Sequence, residues 1–261
     1  MLTPTNLIFS NFQPQELQCL YRLLCSIFHT SPTELAKLYQ DIISTFQQPG
    51  WSLHFVQRDF FISTDKRFQH TYQESPVVAV DLPSLMELDD GRVNKSTIAI
   101  IGQDSKNDND YEHLVVGTPY GLHHKGSREE LNRTKLYFEM IQVLLQLGYR
   151  VYLTDIFKLW VCNPARCYTS IRLPHSDRQC FLQLLQLELE LMQPVAMITW
   201  GKQSCNTVYK LQLGIQHLNF PHPSGAANGA WKRLINKTPT RESKLAYWRS
   251  VIAKELESKY S

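Results

Sequence analysis

Apolar and polar positions along the 261-residue chain fall into blocks whose period changes from one region to the next. Residues 14–29 and 32–48 carry apolar side chains at helical spacing. Pro14 opens the first block. Ser31-Pro32-Thr33-Glu34 opens the second, with Ser31 as the cap and Pro32 at the first helical position. Residues 51–63 are aromatic and β-branched and predict strands, whereas 65–75 is polar. From about residue 76 short apolar runs alternate with longer periodic blocks. Ser96–Ile101 ends in Gly102, as a buried parallel strand does. Arg128–Leu147 is helical in period and stops at Gly148, and Tyr149–Thr154 predicts a second strand. Ser176–Met192 predicts a helix closed by Gln193-Pro194, and Val195–Trp200 a third strand. A helix from Lys202 to Leu213, a fourth strand at His217–Phe220 and a last helix over 240–258 complete the series.

Such alternation predicts an α/β chain with a parallel sheet, helices on both faces and functional residues at the carboxyl ends of the strands. Asp104, Asp155, Gly201 and His222 all fall just beyond predicted strand ends. Residues 1–75 read as an N-terminal α/β extension, mainly helical, and 76–261 as the catalytic domain.

Composition adds limits. Hydrophobic residues are 43% and charged residues 20%, as in an ordinary globule. No run of about 18 apolar residues predicts a membrane span. Met1-Leu2-Thr3-Pro4 lacks the basic-then-apolar pattern of a secretory signal, so the expected location is the cytosol. The net charge is +3, yet the segment from Lys232 onward holds eight lysines and arginines against three glutamates. That bias is compatible with a phosphate backbone nearby and equally with a solvated helix face. The six cysteines include no close pair and read as buried, reduced thiols.

Four short motifs then carry a resemblance. Ile100-Ile101-Gly102-Gln103-Asp104 resembles the first motif of the uracil-DNA glycosylase superfamily, and His222-Pro223-Ser224 resembles its second. Gly117-Thr118-Pro119-Tyr120-Gly121 is similar to the Gly-x-Pro-Phe-Gly of the single-strand-selective branch. Met197–Gln203 resembles the strand-to-helix turn that follows in the family. The similarity covers roughly residues 95–235, in the family's order. It implies a three-layer α/β/α sandwich around a central four-stranded parallel sheet, and a monofunctional DNA glycosylase that flips a base out of the stack. It casts Asp104 as the carboxylate that stabilises the cationic sugar and orients water, and His222 as the group that stabilises the departing base. Tyr120 would stack on the flipped base. Ser224, with Asn228, Lys232 and Arg233, would hold the DNA backbone. Gln103, Lys106 and Asp155 join Tyr120 as expected substrate-binding residues.

Three departures from the uracil pattern bear on the substrate. Where uracil enzymes end a strand in a base-reading Asn, this chain has Asp155. An ionised carboxylate only accepts hydrogen bonds, so it suits the N4 amino group of cytosine rather than uracil O4. The Pro-Tyr that blocks C5 substituents in uracil enzymes is replaced by Ser105-Lys106, followed by Asn107–Asp110. A cytosine with a polar C5 group, such as hydroxymethyl or its glucosylated form, fits that change. Such bases occur in some phage DNA, which implies a bacterial anti-phage role. Finally, the small Ala226 stands where relatives carry a bulky wedge, and Trp231 or Lys232-Arg233 are candidates to compensate through backbone contacts.

Iron–sulfur branches of the superfamily place two cluster cysteines near Cys162 and Cys180, but the close upstream pair is absent here. His113, His123 and His124 do not repeat a helix-borne metal pattern. No metal, no cofactor and no membrane contact are expected, and the chain is expected to be a monomer bound to DNA. Ordinary uracil is the alternative substrate. A catalytically silent DNA-binding relative and an unrelated doubly wound protein are the alternative classes.

Overall fold

The structure, a computed structural model, describes residues 4–75, 78–106, 113–130, 132–163 and 169–256. It is a mixed α/β architecture. Its described elements run β1 (Leu7–Phe9), α1 (Pro14–Cys25), α2 (Pro32–Thr45), β2 (His54–Val56), α3 (Lys66–Glu74), β3 (Val78–Asp81), β4 (Ser84–Leu88), β5 (Thr97–Asp104), β6 (Leu114–Gly117) and α4 (Lys125–Glu129). They continue α5 (Asn132–Gln146), β7 (Arg150–Phe157), β8 (Leu159–Val161), α6 (His175–Met192), β9 (Ala196–Trp200), α7 (Lys202–Lys210), β10 (Gln216–Phe220), α8 (Asn228–Ile235) and α9 (Arg241–Leu256). Asn107–Asp110 and Cys167 lie outside the described residues.

The larger sheet is mixed and has six strands in the order β1-β4-β7-β5-β9-β10. β7, β5, β9 and β10 pair in parallel, while β4 and β1 add to the β7 edge in antiparallel sense. The expected sheet had four strands. The two extra strands come from segments that the apolar pattern left unassigned, and one of them, β1, belongs to the first 75 residues. A second sheet, ordered β2-β6-β3-β8, combines parallel β3–β6 pairing with antiparallel β2–β6 and β3–β8 pairing.

Local chemistry explains most of the helices. Ser31 Oγ accepts from the Glu34 amide while the Glu34 carboxylate accepts from the Ser31 amide, a reciprocal cap that starts α2 where the sequence predicts it. The polar stretch 65–75 is in fact helical. Asp65 caps the amides of Arg67 and Phe68, and Phe68 and Tyr72, one turn apart, are both buried. The Gly/Ala-rich stretch after His222 also turns helical, as α8. Two predicted strands run further than expected, so Asp104 closes β5 and Asp155 lies inside β7, rather than beyond their ends.

One core joins Leu20, Leu24, Leu35 and Ile42 of α1 and α2 to Ile98–Ile101 of β5 and Ile198 of β9. The first 75 residues thus share a core with the rest, among the described residues, and contribute a strand to each sheet. The cysteines differ from expectation: Cys19 and Cys180 are exposed, and Cys25, Cys162 and Cys205 are partly so. Cys19 and Cys180 lie on helices, at positions that α1 and α6 turn away from that core.

The end of β7 is fixed by a buried ion pair. Lys158 Nζ lies 2.9 Å from Glu188 Oε1, with both side chains fully buried; the contact is ionic, its angles outside those of a hydrogen bond. Lys158 Nζ also donates to the Asp155 carbonyl at 2.8 Å, and Thr154 Oγ1 donates to Glu188 Oε2 at 2.8 Å. Removing one member of such a pair strands the other charge, whereas replacing both with apolar groups is far milder. Lys158→Met is expected to lower unfolding stability by ~3–5 kcal/mol in urea titrations, and Lys158→Met with Glu188→Leu to recover most of it. A single variant no worse than the double would show that the pair is not what holds this strand end.

Candidate active site

The carboxyl ends of β3, β5 and β6 and the loop after β10 open onto one cavity of about 850 Å³. Asp81, Gln103, Asp104, Lys106, Tyr120 and Tyr137 line it from one side, and His222, Ser224, Ala226 and Asn228 close it from the other.

Tyr120 sits at φ 63°, ψ 11°, a left-handed conformation that a non-glycine residue adopts only when its surroundings hold it there. The surroundings are aromatic. The Tyr120 ring lies 4.9 Å from Tyr137 and 5.0 Å from Trp200. Its hydroxyl is shielded from solvent without a hydrogen-bond partner, and so is Gln103 Oε1. Buried polar groups are nearly always paired, so two unpaired groups lining one cavity mark it as a place for a polar ligand.

His222 is oriented by its neighbours. The Ser224 amide points at His222 Nδ1 from 3.4 Å, and Ser224 Oγ lies 2.8 Å from the same nitrogen. An amide can only donate, so Nδ1 is the acceptor and the ring proton sits on Nε2. Burial, and then the charge of Lys244, push the imidazole down to about 4, so it is neutral at pH 7. The loop itself is clamped from behind: Trp231 Nε1 donates to the His222 carbonyl at 2.9 Å, and Lys244 Nζ donates to the Pro223 carbonyl at 2.9 Å. These contacts correct two expectations. Trp231 is wholly buried and presents nothing to a DNA backbone, and Lys244 belongs to the interior rather than to a solvated face.

Asp104 lines the cavity, and burial raises its carboxyl to about 6 against the opposing pull of Lys106. Asp155 does not line the cavity. It is 2% exposed and stands behind Gly102, opposite which it lies in the β5–β7 ladder. A Cβ on Gly102 would come 2.0 Å from Asp155 Oδ1 and 2.7 Å from the Tyr120 hydroxyl, so only glycine allows this approach. Between Asp155 and the cavity stands Asp81, at the end of β3, which no motif singled out. The two carboxyl groups are within hydrogen-bonding reach. Burial, then the charges of Asp81 and Asp104, hold Asp155 well above the usual carboxylate range. Burial raises Asp81 to about 7, although its bond to Asp155 works in the opposite direction. Asp155 therefore keeps its proton and donates it to Asp81. The ionised acceptor expected at Asp155 is a carboxylic acid, and the acceptor facing the cavity is Asp81. A signal for it existed: Val78-Ala79-Val80-Asp81 is an apolar run ending in an acid, like Ile100–Asp104.

Of the other expected residues, Gln103, Lys106, Tyr120, Ser224 and Asn228 line the cavity with Asp104 and His222. Lys232 and Arg233 lie on the exposed side of α8, and Arg233 borders a separate, smaller cavity with Gly201 and Lys202. Among the described residues, no three His, Cys, Asp or Glu side chains gather as a metal-ion site.

No family model matches the chain, and no curated protein does. Among solved structures, LapB from Legionella pneumophila is similar at a TM-score of 0.22 and 8% identity, over 89% of this chain and 63% of that one. The chain thus spans less than two thirds of that protein's length, and a likeness this slight carries no argument about fold or function.

Raised carboxyls bind protons more tightly in the folded chain than in the unfolded one. The stability they contribute is full below about pH 4 and is lost as pH rises through the folded values, about 6 for Asp104 and about 7 for Asp81. His222 has the opposite sign, and its contribution falls away only as pH drops from about 6.5 toward 4. Thermal melts between pH 6.5 and 8 therefore isolate Asp81. The wild type should lose stability as pH rises, and Asp81→Asn, which donates an amide to Asp155, should melt roughly 2–4 °C higher at pH 8 with a flatter pH dependence. An Asp81→Asn chain that melts lower at pH 8 would refute the shared proton.

Proposed function

We propose that the protein is a DNA glycosylase that excises a C5-substituted cytosine and leaves an abasic site. The reading includes membership of the uracil-DNA glycosylase superfamily and its three-layer α/β/α sandwich. The observation that carries it is a single cavity lined by a carboxylate and by a neutral histidine whose proton is on Nε2, with an aromatic ring between them.

The chemistry follows from the charges. Flipping the nucleotide out of the stack costs a few kcal/mol, and stacking on Tyr120 returns ~1–3 kcal/mol. As the bond between C1′ and N1 breaks, its electron pair leaves with the base and positive charge grows on the sugar. The Asp104 carboxylate stabilises that cation and takes a proton from the attacking water. The Nε2–H of His222 donates to the base O2, where negative charge develops. No lysine is assigned to attack the sugar, so the strand stays intact.

Asp81 supplies the base preference. Its carboxylate, held by the Asp155 proton, accepts from the N4 amino group of cytosine, the pairing that acidic side chains make with this base. A second reading rests on the same pair: a shared proton handed forward would match O4 of uracil, and that makes uracil the competing substrate. Exposed Lys232 and Arg233 on α8 supply positive charge for a DNA backbone. A role in defence against phage with modified cytosine fits this substrate class.

The test is base release from matched oligonucleotides that carry uracil, cytosine or 5-hydroxymethylcytosine. Release of the hydroxymethylated base is expected. Its rate should rise with pH through about 6, as Asp104 ionises. Asp104→Asn and His222→Ala should each lower it by at least ~100-fold. Release of uracil alone assigns the pair to O4, and DNA binding without release of any base leaves a silent DNA-binding protein.

A further inference from the structure

We propose that the cavity has a second chamber, built partly by the N-terminal segment around Trp51, which takes a neutral, hydroxyl-rich ring such as a hexose carried on C5 of the base. The inference rests on the glycosylase reading and names the substituent that reading leaves open.

The wall of the cavity does not stop at Asp81. A Cβ on Gly117, which pairs with Asp81, would meet Asp81 Oδ1 at 3.1 Å and His123 Cε1 at 3.0 Å, so the imidazole of His123 stands next to the carboxyl pair. His123 packs on His124 with ring centroids 3.8 Å apart, and His124 lies 5.2 Å from Trp51. Trp51, Leu53, Thr118, His123, His124 and Ser127 all line the same cavity. One chain of contacts thus leads from the base-reading carboxyls to an indole.

The chemistry of that chamber selects its occupant. Trp51 is 46% exposed, so part of the indole remains open to a ligand. Its other side rests on Gly126, where a Cβ would come 2.9 Å from the ring. No carboxylate or ammonium group is among the six lining residues. The imidazoles are neutral as well: burial is the first cause that pushes His124 down to about 4 and His123 well below its usual range. A phosphate or carboxylate on the base would find no cation there, and an amine would find no anion beyond Asp81. An indole face beside imidazoles and the hydroxyls of Thr118 and Ser127 suits a ring with apolar C–H faces and hydroxyl edges.

The placement of Trp51 is itself built in. β2, three residues further on, pairs with β6, and Thr45 Oγ1 lies 3.2 Å from His54 Nε2. Arg128, fully buried, donates through Nη2 to the Phe46 carbonyl at 2.7 Å and through Nη1 to the Leu122 carbonyl at 2.7 Å. It thereby pins the end of α2 to the loop that carries His123 and His124.

The test compares release of 5-hydroxymethylcytosine and of its glucosylated form from matched DNA. Trp51→Ala should lower kcat/KM for the glucosylated base relative to the hydroxymethylated one by roughly tenfold, the scale of one lost ring contact, and Trp51→Phe should restore most of the ratio. Equal loss on both bases, or an unchanged ratio in a variant that melts like the wild type, would overturn the chamber while leaving the glycosylase reading intact. A second readout does not need turnover. Saturation-transfer NMR on the glucosylated deoxynucleoside should show contact at the sugar protons in the wild type and its loss in Trp51→Ala. Sugar protons that receive no saturation from the wild type would overturn the proposal. If that contact is present but no base is released, the chamber stands and the glycosylase reading falls.

Discussion

Lys158 is the residue on which the site depends. Its ammonium neutralises Glu188 in the interior and holds the Asp155 carbonyl. Its own carbonyl accepts from the Asp81 amide at 3.1 Å and from Ser105 Oγ at 3.4 Å. Ser105 Oγ also donates to the Ala79 carbonyl, tying the residue after Asp104 to β3. Through one lysine, three acids on three strands of two sheets are held where none would go alone. Carboxyl groups repel and prefer water, so only a scaffold that satisfies the surrounding backbone keeps them together.

The arrangement resolves its own charge problem by retaining a proton. Asp81, Asp104 and Asp155 share one low-dielectric region, and Lys158 is already committed to Glu188. Holding three negative charges there would be very unfavourable, so Asp155 stays protonated and hands its hydrogen bond to Asp81. The left-handed Tyr120 adds a second unfavourable element to the same cavity. Strain and crowded charge concentrated in one place, on an otherwise well-capped and well-packed chain, are the signature of a site selected for chemistry rather than stability.

Much of this was legible in the sequence. Apolar runs bounded by glycine gave β5, β7, β9 and β10, and Ser31-Pro32 gave the start of α2, because each is dictated by neighbours within a few residues. What escaped was set at a distance. β3, β4, β6 and β8 are three to five residues long, too short for a period to register, and they exist because the paired strands complete them. Asp65 and the Phe68/Tyr72 pair were a readable helix signal, masked by polar composition. Asp104 and His222 were found through motifs, and the structure brings them to one cavity with Gln103, Lys106, Tyr120, Ser224 and Asn228. Trp51 drew notice only as part of an aromatic run, since nothing in residues 51–63 says which ring will face a cavity.

Asp155 shows the deeper limit. Its position at a strand end was readable, but its protonation was not, because the partner that determines it lies 74 residues earlier on another sheet. Residue type alone made Asp155 an acceptor. With Asp81 beside it, the same residue is a donor, and the acceptor moves forward to face the cavity. The choice between cytosine and uracil then turns on where one proton rests in the pair. An acid at this strand end does not by itself select a base. Burial and a second carboxyl decide whether the edge it presents is one that accepts from an amino group or one that gives a proton to a carbonyl.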